Sequence, residues 1–68
     1  MLRKFVALAE ASDRIQKIGV SENPLECGRN CQEALDFIDQ QHAAGNLDKI
    51  QDEALRKDVY GAVDQWPN

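Results

Sequence analysis

Residues 23–47, NPLECGRNCQEALDFIDQQHAAGNL, decide the fold because they contain a helix with both its start and its end signals. Asn23 can accept a backbone N–H at the helix start, and Pro24 suits the first helical turn. Gly45 suits the end, because glycine adopts a positive φ at little expense. The stretch therefore predicts a helix over about residues 24–44.

This second helix has an apolar side and a polar side. At about 100° per residue, six residues fall within one apolar sector: Cys27, Cys31, Ala34, Leu35, Ile38 and His42. Phe37 lies at the margin of the sector, where it either extends a core sideways or is left for a partner. Such a stripe must be covered by neighbouring helices.

A first helix is predicted over about residues 2–18. Its stripe has 3-4-3 spacing and is widened near the N-terminus by four more apolar residues; together they are Leu8, Ala11, Ile15 and Ile18, then Leu2, Phe5, Val6 and Ala9. Gly19 fits the position after the helix, where we expect a positive φ.

A third helix is predicted over about residues 47–65, with Asn46 as its N-cap and Asp48 near the positive end of the helix dipole. It carries two apolar lines, offset by roughly a third of a turn: Leu47, Ile50 and Ala54, then Leu55, Val59, Ala62 and Trp66. A straight helix with two lines can face helix two and a second chain at once. Gly61 would alternatively permit a bend or a close helix approach.

The expected fold is all-α, with one domain over residues 1–68, three helices, and helices two and three as an αα-hairpin. The connection around Gly45 is short, and short connections join neighbouring helices. Eight alanines and the absence of threonine also favour helix. A chain of 68 residues has a thin core, so the broad stripes predict a homodimeric helical bundle.

The net charge of −4 disfavours membranes and nucleic acid as primary partners, because both are anionic. We find no signal peptide and no apolar run long enough for a membrane span, and expect a cytoplasmic protein. A helix-turn-helix DNA-binding regulator is an alternative. Against it stand the long side chain of Gln41 before the turn and the acidic start of the third helix, which contains Asp48, Asp52 and Glu53.

Cys27 and Cys31 are the first candidates for chemistry. Their Cys-x-x-x-Cys spacing differs from the usual Cys-x-x-Cys of metal and redox motifs, and His42 and Asp39 would complete a ligand set only on paper. Two buried small side chains are the simpler interpretation, and no metal or cofactor is predicted. A thiol or metal protein using these cysteines is a further alternative. For His42 we expect a structural role near the helix C-terminus.

No catalytic or phosphate-binding motif is present, so the sequence predicts a non-enzymatic protein. The function expected is that of a small acidic regulator or inhibitor that binds a larger protein, with its acidic surface directed at a basic surface of that protein. The candidate partner or dimer interface consists of seven residues: Phe5, Phe37, Leu55, Val59, Tyr60, Ala62 and Trp66.

Overall fold

The computed structural model describes residues 2–66, with the backbone alone at Leu2. It contains three helices, α1 (Leu2–Gly19), α2 (Pro24–Ala43) and α3 (Lys49–Gln65), and no strand within the described part of the chain. Each helix packs against the other two, and the whole measures 36 × 16 × 15 Å. The prediction of an all-α fold with three helices is confirmed. The expected place of the Leu2 side chain lies outside the described residues.

The start of α2 is fixed by Asn23, as predicted. The backbone N–H of Glu26 donates a hydrogen bond of 2.8 Å to Asn23 Oδ1, and Pro24 occupies the first turn. This bond satisfies one of the backbone donors that a helix leaves unpaired at its N-terminus.

The start of α3 differs from the prediction. Asp48 is the N-cap: the N–H of Gln51 donates to Asp48 Oδ1 at 2.8 Å, and the N–H of Asp48 donates to Gln51 Oε1 at 3.0 Å. The assignment of this role to Asn46 was wrong, since its amide donates instead to Gln41 Oε1. The physical reason is Leu47, which is buried in the core before the helix begins.

Two glycines end helices in different ways. Gly45 follows α2 with φ at +82°, as predicted. Gly19 has no positive φ, and the expectation for it was wrong; it is the last residue of α1. Ser21 closes that end instead, since its backbone N–H donates to Ile18 O at 3.3 Å and its hydroxyl to Lys17 O at 3.0 Å.

The core lies between the three helices and consists of small and medium side chains: Ala7, Ala11, Ile18, Cys27, Ala34, Ile38, Leu47, Leu55 and Val59. The stripe of α1 is narrower than predicted, because Phe5, Val6 and Ala9 are exposed. Of the first line of α3, Ile50 and Ala54 are exposed, and Leu47 is buried before the helix begins, so that within the helix itself only the second line faces the core.

Candidate functional site: exposed apolar faces and a thiol groove

The side of α3 that points away from the core carries large apolar groups. We define the α3 outer face as Ile50, Ala54, Tyr60 and Gly61, all of which are exposed. Ile50 is 78% exposed and Tyr60 57% exposed. On the helical wheel, Glu53, Asp64 and Lys49 fall beside Tyr60, and Lys57 falls between Asp64 and Ile50; all four charged residues are exposed. This face therefore combines apolar area with charges of both signs.

The first turns of α1 carry a second exposed apolar group. We define the α1 patch as Phe5, Val6 and Ala9, of which Phe5 is 73% and Val6 52% exposed. Its charged neighbours are Arg3 and Lys4 in the first turn and the exposed acids Glu10 and Asp13, which lie one helical turn after Val6 and Ala9. The charge beside this patch is therefore also of both signs.

The seven candidate interface residues do not form one surface. Phe5 and Tyr60 are exposed on different helices, whereas Leu55 and Val59 are buried in the core of the chain. Ala62 and Trp66 are half-buried and pack against the core. The indole Nε1–H of Trp66 donates to Ser21 O at 2.8 Å, which ties the end of α3 to the connection between α1 and α2.

Phe37, the remaining candidate, is half-buried against the core and covered by a charge. The guanidinium carbon of Arg14 lies 4.0 Å from the centre of its ring, a cation–π arrangement between α1 and α2. Both residues line a shallow, mainly polar groove with Glu33, Asp36 and Gln40. Of the two predicted roles for Phe37, sideways extension of the core is the one that the contacts show.

A second, mainly apolar groove lies between the first half of α2 and the end of α3. We call it the thiol groove; its walls include Pro24, Cys27, Cys31, Val63 and Trp66. Cys27 is buried, Cys31 is half-buried, and both are free thiols. Burial raises the pKa of the Cys31 thiol, and the neighbouring Cys27 adds to the rise. Cys31 is therefore a protonated thiol at neutral pH rather than an activated nucleophile.

Charged side chains link the second half of α2 to the first half of α3. Asp52 is buried, accepts a hydrogen bond from Arg56 Nε, and has Oδ2 3.1 Å from His42 Nδ1. Arg56 also donates to Asp39. Hydrogen bonds to Asp52, and then to Asp39, raise the pKa of Arg56 above its ordinary value. His42, for which we expected a structural role near the helix C-terminus, thus contacts the side chain of another helix.

Asp39 and His42 belong to this charged network and lie two or more helical turns after Cys31 on α2. Within residues 2–66, no three His, Cys, Asp or Glu side chains are grouped so as to hold a metal ion. Closed zinc sites use four protein ligands, and catalytic zinc sites use three. The possible ligand set from the sequence, which consists of Cys27, Cys31, His42 and Asp39, is therefore not brought together. None of α1, α2 and α3 is long and apolar enough to cross a membrane.

Comparison with protein-family models, with curated proteins and with solved structures finds nothing that matches this chain.

Sequence reasoning missed several features of these surfaces. The charged network was signalled only by the spacing of Asp52 and Arg56, which are four residues apart on one helix. The exposure of Ile50 was signalled by its offset from the line that contains Leu55 and Val59. Val20 and Leu25 are 76% and 74% exposed, and we know of no signal in their local sequence that would have indicated it.

Proposed function

We propose that this chain is a non-enzymatic protein-interaction module that binds a larger protein and modulates its activity, as a regulator or an inhibitor. One observation carries the proposal. Among residues 3–66, whose side chains the structure describes, six large apolar side chains are more than half exposed: Phe5, Val6, Val20, Leu25, Ile50 and Tyr60. Contiguous exposed apolar surface is a mark of binding sites, whereas scattered single residues are ordinary.

The α3 outer face is the docking surface that we favour. Tyrosine is enriched among the residues that dominate binding energies, and Tyr60 and Ile50 offer aromatic and aliphatic area on one helix. The charges on the face itself are of both signs, but the chain as a whole, with its net charge of −4, would be attracted to positive charge. The partner therefore has an apolar pocket with a basic rim.

Affinity capture with matched variants tests this surface. Wild-type protein is compared with Ile50→Ser and Tyr60→Ser, and with Val20→Ser as a control that removes an equally exposed side chain outside the face. We expect one basic protein to be retained by wild type and control and lost with both α3 variants. The complex should also weaken with salt, because its charged rim is screened. A partner that all three variants retain equally would contradict the α3 outer face as the contact.

A homodimer in which α2 and α3 of each copy form a helical hairpin is part of the same proposal. The α1 patch is its candidate contact, because Arg3 and Lys4 beside it complement the acidic surface of a second copy. Light scattering at two protein concentrations should report a dimer for wild type and a monomer for Phe5→Ser. A monomeric wild type at both concentrations would remove the dimer and leave the docking proposal standing.

The cytoplasm is the compartment that we propose. The two free cysteines, Cys27 and Cys31, fit a reducing environment, in which thiols are maintained. Direct binding to DNA by α3 is disfavoured by the exposed Asp48 and Glu53 at its start, because these carboxylates would approach phosphate groups.

A further inference from the structure

The thiol groove places two sulfur atoms one helical turn apart on the same apolar wall. Its volume is about 360 Å³, and it is open to solvent on one side. Cys27 lies at its buried wall, whereas Cys31 is half-buried. Trp66, the only tryptophan of the chain, forms part of the opposite wall. None of these residues belongs to the α3 outer face or the α1 patch.

The spacing of the thiols is too wide for a disulfide. Residues four apart on a helix have Cβ atoms about 5–6 Å from each other. A disulfide needs Cβ atoms about 3.5–4.5 Å apart. A metal ion between two sulfurs tolerates a wider pair, since two metal–thiolate bonds of the length known for zinc, about 2.3 Å, span about 4.6 Å in a line. The same geometry that opposes a disulfide therefore suits a bridging ion.

We propose that Cys27 and Cys31 bind one monovalent, soft metal ion, Cu(I), between their sulfur atoms in a two-coordinate site. Binding replaces two S–H bonds by two Cu–S bonds and releases two protons, and no electron is transferred. Soft thiolates select Cu(I), and the mainly apolar walls, with Gln32 as their only side-chain amide, offer no carboxylate to harder cations. The half-buried position of Cys31 leaves the resulting single negative charge at the solvent edge of the groove.

Zinc is the natural competitor, and the composition of the site disfavours it. Zinc in proteins takes at least three protein ligands, and no third His, Cys, Asp or Glu joins the thiols among the residues that the structure describes. His42 and Asp39, which the sequence suggested as further ligands, are engaged with Asp52 and Arg56. Two ligands suffice for Cu(I) and leave zinc poorly held.

An anaerobic titration of the reduced protein with Cu(I), in competition with the chelator bicinchoninate, tests the site. We expect one ion per chain, with the fluorescence of Trp66 changing in step with binding. Cys31→Ser should weaken Cu(I) binding by more than the roughly 100-fold that loss of an outer-shell partner costs a metal site. Gln32→Ala is the matched control, because Gln32 lines the groove without a sulfur atom, and its affinity should equal that of wild type.

Two results would overturn the site. One is a Cys31→Ser variant, shown to be folded by circular dichroism, that binds Cu(I) as tightly as wild type. The other is saturation at half an ion per chain together with a doubling of the molecular mass, which would mean that cysteines of two copies share the ion. Cys27 is buried in the core, so replacing it also perturbs the fold. The variant of the half-buried Cys31 therefore decides whether the thiols bind the ion. Neither result bears on the docking proposal, because that proposal rests on Ile50 and Tyr60.

Discussion

At the scale of single residues, Asp48 and Asn46 differ in the hydrogen bonds that their side chains make. Asp48 and Gln51 satisfy each other's backbone N–H groups at the start of α3, whereas the side chain of Asn46 bonds the side chain of Gln41 and caps no helix. We expect Asp48→Ala to lower the free energy of unfolding by about 1 kcal/mol, as is usual for loss of an N-cap. Asn46→Ala should have a smaller effect. Urea unfolding of both variants measures the difference, and equal losses would argue against Asp48 as the cap.

Cys31 provides a second prediction at the same scale, concerning pH. Burial raises its pKa in the folded protein above that of the unfolded chain, so the unfolded chain loses the thiol proton first as the pH rises. The contribution of the protonated thiol to stability is present below the unfolded pKa and is lost as the pH rises through the folded pKa. We expect wild type to lose more stability than Cys31→Ser between pH 7 and about pH 10, a range that brackets the ordinary thiol pKa.

All the other ionisable side chains are the same in wild type and in Cys31→Ser. The difference between wild type and Cys31→Ser therefore isolates the thiol. Chemical unfolding at a series of pH values, with Trp66 fluorescence as the probe, measures it. Parallel curves for the two proteins would mean that the Cys31 thiol is equally solvated when folded and unfolded.

At the scale of helices and their connections, Gly45 and Gly61 differ in whether the backbone conformation requires a glycine. Gly45 has φ at +82°, which a side chain disfavours, whereas Gly61 lies within α3 with nothing near the position of an added Cβ. Gly45→Ala should therefore destabilise the fold by about 1 kcal/mol. Gly61→Ala should stabilise it by about 0.5–1 kcal/mol, because alanine favours a helix interior. Thermal unfolding of the two variants should show opposite shifts, and shifts of the same sign would contradict this assignment.

The same scale shows how far the sequence could predict the fold. The start of α2 was predictable because Asn23 and Pro24 act within one turn. The start of α3 was not, because several polar residues compete for the cap and the buried Leu47 decides among them from within the core. The exposure of the α1 patch could not be predicted from the sequence either. Helical periodicity identifies an apolar stripe, but which part of the stripe is covered depends on the neighbouring helices.

Contacts between helices were even less predictable from the local sequence. The sequence suggests that Asp52 is one of several surface acids at the start of α3, but its side chain is buried beside His42 and Arg56. The thiol groove likewise needs both Cys31 on α2 and Trp66 at the end of α3. Such sites depend on which faces meet, and periodicity on one helix does not contain that information.

At the scale of the whole molecule, the core is thin for three helices. Its largest fully buried side chains are Ile18, Ile38 and Val59, and much of the remainder is alanine. Domains below about 70–80 residues rarely gain more than about 3–5 kcal/mol from one core. The stability of the chain therefore depends heavily on each of these few side chains, and replacing one isoleucine tests this directly.

Ile38 and Ile50 form a matched pair for that test, since Ile38 is fully buried and Ile50 is 78% exposed. Truncating a buried isoleucine to alanine typically costs about 2–5 kcal/mol, which equals most or all of the stability expected for a core of this size. Ile38→Ala should therefore be largely unfolded at 25 °C by circular dichroism, while Ile50→Ala stays folded with an unchanged unfolding midpoint. If Ile50→Ala also unfolded at low protein concentration, Ile50 would belong to a structural interface on which folding depends, and the α3 outer face could not serve as a free docking surface.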